Sequence, residues 1–214
     1  MCYALQCENV SLRYSNGTQA LTNIHLQLNK GDIHVILGAN GAGKTTFLKL
    51  ATTELFPTGG TMKILDKDTT KDKKDISKRI GVMPQQAQLY KQLTVWEHIY
   101  YFTLLKGLNK KKSSEETEWV MALLDISNRR NQEINSLSGG FINTVNLAQS
   151  LTGNPDILFL DEPTVGLDPL RRRIIWDYAK SLRRKKTVIL STQYLDEANE
   201  LADNSIYLVS DSVH

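Results

Sequence analysis

The amino-acid sequence predicts an α/β fold, in which a parallel β-sheet is covered by helices on both faces. Short apolar segments typical of buried parallel strands recur along the chain, at residues 33–37, 80–83, 157–160 and 187–190. Helical patterns accompany the later strands, at residues 170–184 and 195–202, and a last strand is predicted at 206–209. Because strands that alternate with helices pair in parallel, these segments indicate one parallel sheet enclosed by helices.

The first 37 residues carry a different pattern, one typical of antiparallel strands. Ile24, Leu26 and Leu28 alternate with polar residues, which is the two-residue period of a half-buried strand. Asn16-Gly17 separates two such segments and has the composition of a hairpin turn. We therefore expect an antiparallel β subdomain at the N-terminus, ahead of the parallel core.

Residues 94–151 have helical periodicity and lie between two of the predicted strands. Apolar side chains recur at helical spacing in two stretches, one with Val95, Ile99, Phe102 and Leu105 and the other with Trp119, Leu123 and Leu124. Lys110–Lys112 between them, like Lys67–Lys74 earlier in the chain, is predicted to be an exposed, solvated loop. The pattern predicts a mostly helical lobe inserted into the α/β core.

Composition narrows the classes of function that the chain can have. Its 214 residues include 26 basic and 23 acidic side chains, and the net charge of +3 is too small to indicate a nucleic-acid partner. The N-terminus lacks the features of a signal peptide, and no stretch approaches the ~18 apolar residues that span a bilayer. A role at a membrane would therefore require another chain that crosses it. Cys2 and Cys7 are expected to be reduced thiols.

A glycine-rich segment after the strand at 33–37 matches the phosphate-loop pattern G-x-x-x-x-G-K-[ST]. It comprises Gly38, Ala39, Asn40, Gly41, Ala42, Gly43, Lys44 and Thr45. Glycines let backbone N–H groups turn toward phosphate oxygens, and the helix predicted to start near Lys44 adds partial positive charge. Lys44 is expected to reach the β- and γ-phosphates, and the Thr45 hydroxyl to bind Mg²⁺. We predict that this loop, with the adjacent Thr46, binds ATP.

Two acidic residues follow the strand at 157–160. Asp161 and Glu162 lie at its carboxyl end, the edge at which a parallel sheet places acids beside a nucleotide. Asp161 is predicted to hold Mg²⁺ through water, and Glu162 to take the proton from an attacking water. The alternative is a surface Asp-Glu pair that opens a turn at Pro163.

Two further short motifs lie before and after the acidic pair. Leu137-Ser138-Gly139-Gly140 lies ahead of Asp161-Glu162-Pro163-Thr164, which is followed by Gly166-Leu167-Asp168. With the phosphate loop, these motifs resemble the nucleotide-binding subunit of ATP-binding-cassette (ABC) transporters over nearly the whole chain. The resemblance implies a single domain, 1–214, with a P-loop NTPase core. Residues 1–88 and 154–214 would form the β subdomain and nucleotide-binding core, and 89–153 the helical subdomain with the signature motif.

The resemblance also implies roles for individual residues. Tyr14 would stack on adenine, an ordinary strand aromatic being the alternative. Gln85 would join the two lobes and sense Mg²⁺ and the γ-phosphate, although its neighbour Gln86 could be the matching residue. Asp168 would cross to a partner subunit, and Ser138–Gly140 would close on the γ-phosphate held by that partner.

The implied assembly is a head-to-tail dimer of nucleotide-binding subunits around two ATP molecules and Mg²⁺. The dimer could be a homodimer or a heterodimer, and ATP would join its halves because the γ-phosphate bridges them. An integral membrane permease would convert dimer closing and opening into transport. The protein would then lie at the cytoplasmic face of the cell membrane, with no nucleic acid as partner.

The sequence departs from the family pattern at two motifs. Gln193 occupies the place of the histidine that usually follows Ser-Thr, and it can donate a hydrogen bond to the γ-phosphate but cannot shuttle a proton. This departure fits the daunorubicin-resistance branch of exporters, where glutamine is expected. After the signature motif, Phe141 replaces a common glutamine, and residues 142–144 lack the usual basic side chains.

These departures leave more than one functional class open. The leading interpretation is the ATP-hydrolysing subunit of an exporter, and the second is a regulatory subunit that binds ATP but hydrolyses it weakly. The third, a cassette acting on DNA or the ribosome, is disfavoured because the chain has one cassette and no long coiled coil. Because family members continue beyond Ser210–His214, the chain is either a short subunit or a fragment.

Overall fold

A computed structural model describes residues 3–209, which form two β-sheets and seven described helices. The strands of the first sheet are β1 (Tyr3–Arg13), β2 (Gln19–Asn29), β4 (Gly59–Ile64) and β5 (Lys67–Asp68). Those of the second are β3 (Ile33–Leu37), β6 (Ile80–Met83), β7 (Ile157–Asp161), β8 (Thr187–Thr192) and β9 (Asn204–Tyr207). Cys2 and Ser210–His214, on which two of the sequence expectations rest, lie outside the described residues.

The second sheet is the predicted parallel core. Its strand order is β6-β7-β8-β3-β9, and every neighbouring pair is parallel. All residues of the three middle strands are buried, which explains why those segments are almost continuously apolar. The carboxyl ends of β3, β6, β7 and β8 therefore meet at one edge, and the loops that follow them lie side by side there. The predicted α/β class is confirmed.

The first sheet is antiparallel and has the order β2-β1-β4-β5. Its buried side chains, such as Leu5 and Met62, pack in one core with Phe47 and with Phe159 of β7. A second core lies on the other face of the parallel sheet and extends into the helical segment. The antiparallel sheet is thus joined to the parallel sheet through apolar packing rather than through a shared strand.

The helices are α1 (Lys44–Ala51), α2 (Lys73–Arg79), α3 (Val95–Leu105), α4 (Lys110–Leu123), α5 (Gly139–Leu151), α6 (Pro169–Leu182) and α7 (Leu195–Leu201). The first turn of α3 is fixed by a capping box, in which Thr94 and Glu97 each accept a bond from the other's backbone N–H. Within residues 3–209, none of these helices combines the length and apolar character needed to cross a bilayer.

Two predicted loops are wrong. Lys110–Lys112 forms the first turn of α4, because Asn109 caps this helix by accepting a bond from the Lys112 N–H at 3.0 Å. Lys67–Lys74 contains β5 and the start of α2, which one buried side chain, Ile76, holds against the core. In both segments the charged composition outweighed the local structural signal.

The helical stretches are correct, but some of their apolar residues do not enter the core. Val95, Ile99 and Leu124 are buried as the spacing predicts. Leu105 and Trp119, in contrast, are more than half exposed. Periodicity identified the helices, whereas the packing of α3, α4 and α5 decided which of their faces is covered.

Candidate nucleotide-binding site

The phosphate loop lies between β3 and α1, at the carboxyl edge of the parallel sheet. Gly41 and Gly43 have positive φ angles, 84° and 94°. A Cβ atom at Gly43 would also lie 2.7 Å from the carbonyl oxygen of Ala20 and 2.9 Å from a methyl group of Leu21. This loop therefore needs glycine at 43 for both its backbone conformation and its contact with β2.

The N-terminus of α1 has the properties of an anion-binding site. Within the described chain, no side chain caps this helix and no acidic residue lies in its first turn. The backbone N–H groups of the first turn point out of the helix start, with the positive end of the helix dipole behind them. A phosphate group would satisfy these donors, so the loop fits the predicted nucleotide.

Lys44 lies inside the curve of the loop, and its side chain is 4% exposed. Its Nζ donates to the carbonyl oxygens of Gly38 at 2.8 Å and Ala39 at 3.1 Å. The same Nζ lies 3.3 Å from Oε1 of Glu162, which reaches across from the end of β7. The ammonium group is therefore held at the mouth of the loop, where the phosphates of a bound nucleotide would lie.

Glu162 connects the loop after β7 with the loop after β6. Its Oε2 accepts a bond from Nε2 of Gln85 at 2.9 Å, while its Oε1 faces Lys44. Glu162 also has a φ of 50°, a left-handed conformation that is uncommon for residues other than glycine. Such strain persists only where surrounding contacts impose it, and it is frequent at functional sites.

Ser191 of β8 forms hydrogen bonds with both acidic residues. The fully buried Ser191 hydroxyl donates to Oδ1 of Asp161 at 2.5 Å and accepts from the Glu162 N–H at 3.1 Å. One side chain thus fixes both acidic residues. Sequence reasoning missed this role, and the signal that could have found it was the serine one step before Thr192 and Gln193 at the end of a buried strand.

A cleft of about 1110 Å³ opens over the loop, which is ample for a nucleotide. Among the residues expected to bind nucleotide, Tyr14, Gln85, Glu162 and Gln193 line it with the loop residues from Asn40 to Thr46. The Tyr14 hydroxyl lies 2.9 Å from Oγ1 of Thr46, which holds the phenol ring beside the loop. Tyr207 also lines the cleft, a residue that nothing in the local sequence pattern singled out.

The three residues predicted to bind Mg²⁺ share a neighbouring recess of 270 Å³. Thr45, Gln85 and Asp161 all line it, and they supply a hydroxyl, an amide and a carboxylate oxygen. Oxygen donors of this kind suit Mg²⁺, which keeps several waters and takes few protein ligands. The donor set therefore fits the predicted metal at a site shared with a nucleotide.

Ser138, Gly139 and Gly140 do not line this cleft. Ser138 and Gly139 are exposed at the start of α5, and a Cβ at Gly139 would meet nothing within 4 Å in the described chain. Asp168 is also outside the cleft and caps α6, accepting a bond from the Arg171 N–H at 2.9 Å. Within one chain, the signature motif and the phosphate loop are therefore separate.

Basic side chains do lie next to the signature motif, although residues 142–144 have none. The guanidinium groups of Arg171 and Arg129 lie over the ring of Phe141, at 4.1 Å and 4.9 Å from its centroid. The position of a Cβ at Gly140 would be 3.5 Å from Nε of Arg171. Positive charge beside the motif thus comes from α6 and the segment before α5, which the sequence pattern could not reveal.

The ABC transporter family model matches residues 21–165, well over half of the chain and including the phosphate loop, the signature motif and the acidic pair. The chain belongs to the ABC transporter family. Its curated relatives include the daunorubicin/doxorubicin resistance ATP-binding protein DrrA of Streptomyces peucetius, 37% identical over 189 residues. They also include the human phospholipid-transporting ATPase ABCA3, 37% identical over 184 residues.

The chain matches only part of these relatives. The alignment covers 88% of this chain and 57% of DrrA, and 86% of this chain but only 11% of ABCA3. The chain matches nearly the full length of solved cassettes. A dimeric post-hydrolysis structure of the ATP-binding cassette MJ0796, bound to ADP and Pi, superposes with a TM-score of 0.89 at 27% identity and covers 95% of this chain and 94% of that one. CbiO1 of Clostridium perfringens superposes with a TM-score of 0.85 at 26% identity, covering 97% of this chain and 85% of CbiO1.

Family membership confirms several expectations from the sequence. The protein is an ATP-binding cassette of the ATPase class, and its fold is that of solved ABC cassettes. The resemblance to the daunorubicin-resistance branch is confirmed by the similarity to DrrA.

Proposed function

We propose that the chain is the ATP-binding and ATP-hydrolysing subunit of an ABC exporter. One observation carries this proposal: the carboxylate of Glu162 lies between Lys44 and Gln85 at the mouth of the phosphate loop. Lys44 begins α1, Gln85 follows β6 and Glu162 follows β7, and only the fold brings the three together. Such an arrangement can bind a triphosphate, orient a water and accept its proton.

The phosphate loop would hold the β- and γ-phosphates of ATP through its backbone N–H groups. Lys44 would leave the carbonyl oxygens that it now contacts and place its charge on the phosphate oxygens. Thr45 and Asp161 would hold Mg²⁺, Asp161 through water. When bound, Mg²⁺ neutralises negative charge on the phosphates. Tyr14, which lines the same cleft, would stack on adenine.

Glu162 would act as the general base. Its side chain would accept the proton of a water that attacks the γ-phosphate. Gln85 would orient this carboxylate and sense Mg²⁺, and Gln193, which lines the same cleft, would donate a hydrogen bond to the γ-phosphate. Preorganised donors of this kind account for most of the catalysis in phosphoryl transfer.

A second nucleotide-binding subunit would complete the site. Ser138–Gly140 of one subunit, of which Ser138 and Gly139 are exposed, would contact the γ-phosphate on the other. Asp168 would cross the same interface. The dimeric MJ0796 cassette, bound to ADP and Pi, supports a nucleotide-bound dimer. Two ATP molecules would lie in the interface of a homodimer or heterodimer.

The transport partner would be an integral membrane permease, with this chain at the cytoplasmic face of the cell membrane. The helical unit, residues 89–153, is the proposed docking element. A groove beside Gln85 has side chains from this unit and from the parallel core, including Tyr90, Phe102 and Gln149. Its position next to the loop after β6 would couple permease movement to the site. The relationship to DrrA supports an exporter.

An ATP-binding regulatory subunit with weak hydrolysis is the second candidate. The uncharged Gln193 and the absence of basic residues at 142–144 favour it. Against it, Arg171 and Arg129 supply positive charge beside the signature glycines. The two candidates differ in turnover rather than in ATP binding.

The hydrolytic and the regulatory candidates can be separated by measuring steady-state ATP hydrolysis by the full chain with its permease in lipid. We expect Glu162→Gln to bind ATP normally and to lower turnover by about 10²-fold or more, since it removes the base and keeps the shape. Glu8→Gln, at an exposed glutamate of β1 outside the helical unit, is the matched control and should retain activity. Equal, near-zero turnover of wild type and Glu162→Gln would reject the hydrolytic function and favour the regulatory one.

A further inference from the structure

The helix that begins at the signature motif is fastened to the end of β6 by one buried amide. Asn146, on α5, is fully buried, and its Nδ2 donates to the carbonyl oxygen of Pro84 at 2.9 Å. Pro84 immediately precedes Gln85 and lies just beyond the last ladder residue of β6. The bond therefore anchors the chain at the point where the parallel sheet ends and the loop bearing Gln85 begins.

The surrounding packing makes this anchor short and rigid. A Cβ atom at Gly81 of β6 would lie 1.9 Å from the carbonyl oxygen of Ser150 on α5. Only glycine permits so close an approach of the helix to the strand. Because α5 and β6 are packed this closely, the Asn146–Pro84 bond joins the helix directly to the start of the loop.

The amide of Asn146 is poorly explained by stability alone. Its Oδ1 is buried and has no hydrogen-bond partner among the described residues. Leaving a buried acceptor unpaired is unfavourable, and an apolar side chain of similar size would avoid that penalty. The opposite amide orientation would set Oδ1 against the Pro84 oxygen, so the donating orientation is the one that the site accepts. The benefit of asparagine at this position lies in the bond that it donates.

We propose that Asn146 is a positioning residue that acts on Glu162 through Gln85. The path runs from Asn146 to the Pro84 carbonyl, along one peptide to Gln85, and from Nε2 of Gln85 to Oε2 of Glu162 at 2.9 Å. The helix that presents Ser138–Gly140 is thereby linked to the proposed general base of its own chain. This inference rests on the proposed hydrolytic function, in which Gln85 orients Glu162.

Asn146→Leu tests the inference because it removes the donor and the unpaired acceptor together. We expect the midpoint of chemical unfolding to change little, because removal of the unpaired Oδ1 offsets the loss of the donor to the Pro84 carbonyl oxygen. We expect kcat for ATP to fall about five- to tenfold, the effect of losing one orienting hydrogen bond, with KM for ATP unchanged. Ser150→Ala is the matched control: it removes a buried hydroxyl of the same helix that donates to Leu147, within α5, and turnover should be retained.

A double-mutant cycle with Gln85→Ala distinguishes positioning from general damage. If Asn146 acts through Gln85, the double variant should turn over ATP as slowly as Gln85→Ala alone. If the effects of the two single substitutions on kcat multiply in the double variant, the inference is overturned. A fall in stability of Asn146→Leu with kcat unchanged would also overturn it. Should Gln85→Ala and Glu162→Gln themselves leave turnover unaffected, the proposed function fails instead, so the two failures are distinguishable.

Discussion

The hydroxyl of Ser191 allows a direct test of how the two acidic residues are held. It donates to Asp161 Oδ1 at 2.5 Å and accepts from the Glu162 N–H at 3.1 Å, in a fully buried position. Ser191→Ala leaves the Asp161 oxygen without this donor, and losing a bond to a charged group lowers the free energy of unfolding by about 2 kcal/mol. The Glu162 N–H keeps the Ser191 carbonyl oxygen at 3.2 Å as acceptor, so its loss adds little.

Thermal unfolding measures the loss of stability in Ser191→Ala, and ATP turnover measures the effect on the site. For a chain of this length, a destabilisation of that size lowers the melting temperature by about 4–8 °C. Because the Asp161 carboxylate is freed to shift and the Glu162 backbone keeps only one of its two acceptors, kcat should fall about tenfold or more, together with a higher Mg²⁺ requirement.

Thr187→Val provides the matched comparison at the opposite end of β8. The buried Thr187 hydroxyl accepts a bond from the Gly31 N–H at 2.9 Å, far from the acidic pair. This variant should lose stability but keep its turnover. If Ser191→Ala retained wild-type turnover and Mg²⁺ dependence, or if Thr187→Val lost activity equally, the assignment of Ser191 to the site would be wrong.

Three further predictions follow from buried or constrained groups. Gly43→Ala should abolish binding of a fluorescent ATP analogue, because the new Cβ would clash with Ala20 and Leu21. Gly41→Ala has room for its Cβ and should lower stability by only about 1–2 kcal/mol, because of the positive φ at that position. Burial lowers the pKa of His98 below 6.5, so the unfolded chain binds more protons than the folded one below that pH. The free energy of urea unfolding should therefore decline from pH 7.5 to 5.5, less steeply in His98→Gln; equal slopes would contradict this. Burial raises the pKa of the Cys7 thiol to about 12, so in a Cys2→Ser background a thiol reagent at pH 8 should modify it only after unfolding.

The local motifs were readable from the sequence because their chemistry is contained in consecutive residues. The phosphate loop needs glycine, lysine and threonine at fixed spacing, and a buried parallel strand needs an apolar run before it. Glu162 was identified in the same way, at the end of such a strand, whereas Gln85 came from the family resemblance, with Gln86 as the alternative. Where a segment is short and charged, as at Lys110–Lys112, composition outweighed the cap at Asn109 and the prediction was wrong.

The sequence by itself determined the family, the α/β class and the residues of each motif, since these depend on short-range order. Only the tertiary structure decided which of those residues meet. The parallel order of β3, β6, β7 and β8 brings Lys44, Gln85, Glu162 and Ser191 to one edge, although they lie far apart in the chain. The contacts of Ser191 and Asn146 were decided by the packing of strands and helices that lie far apart in the sequence.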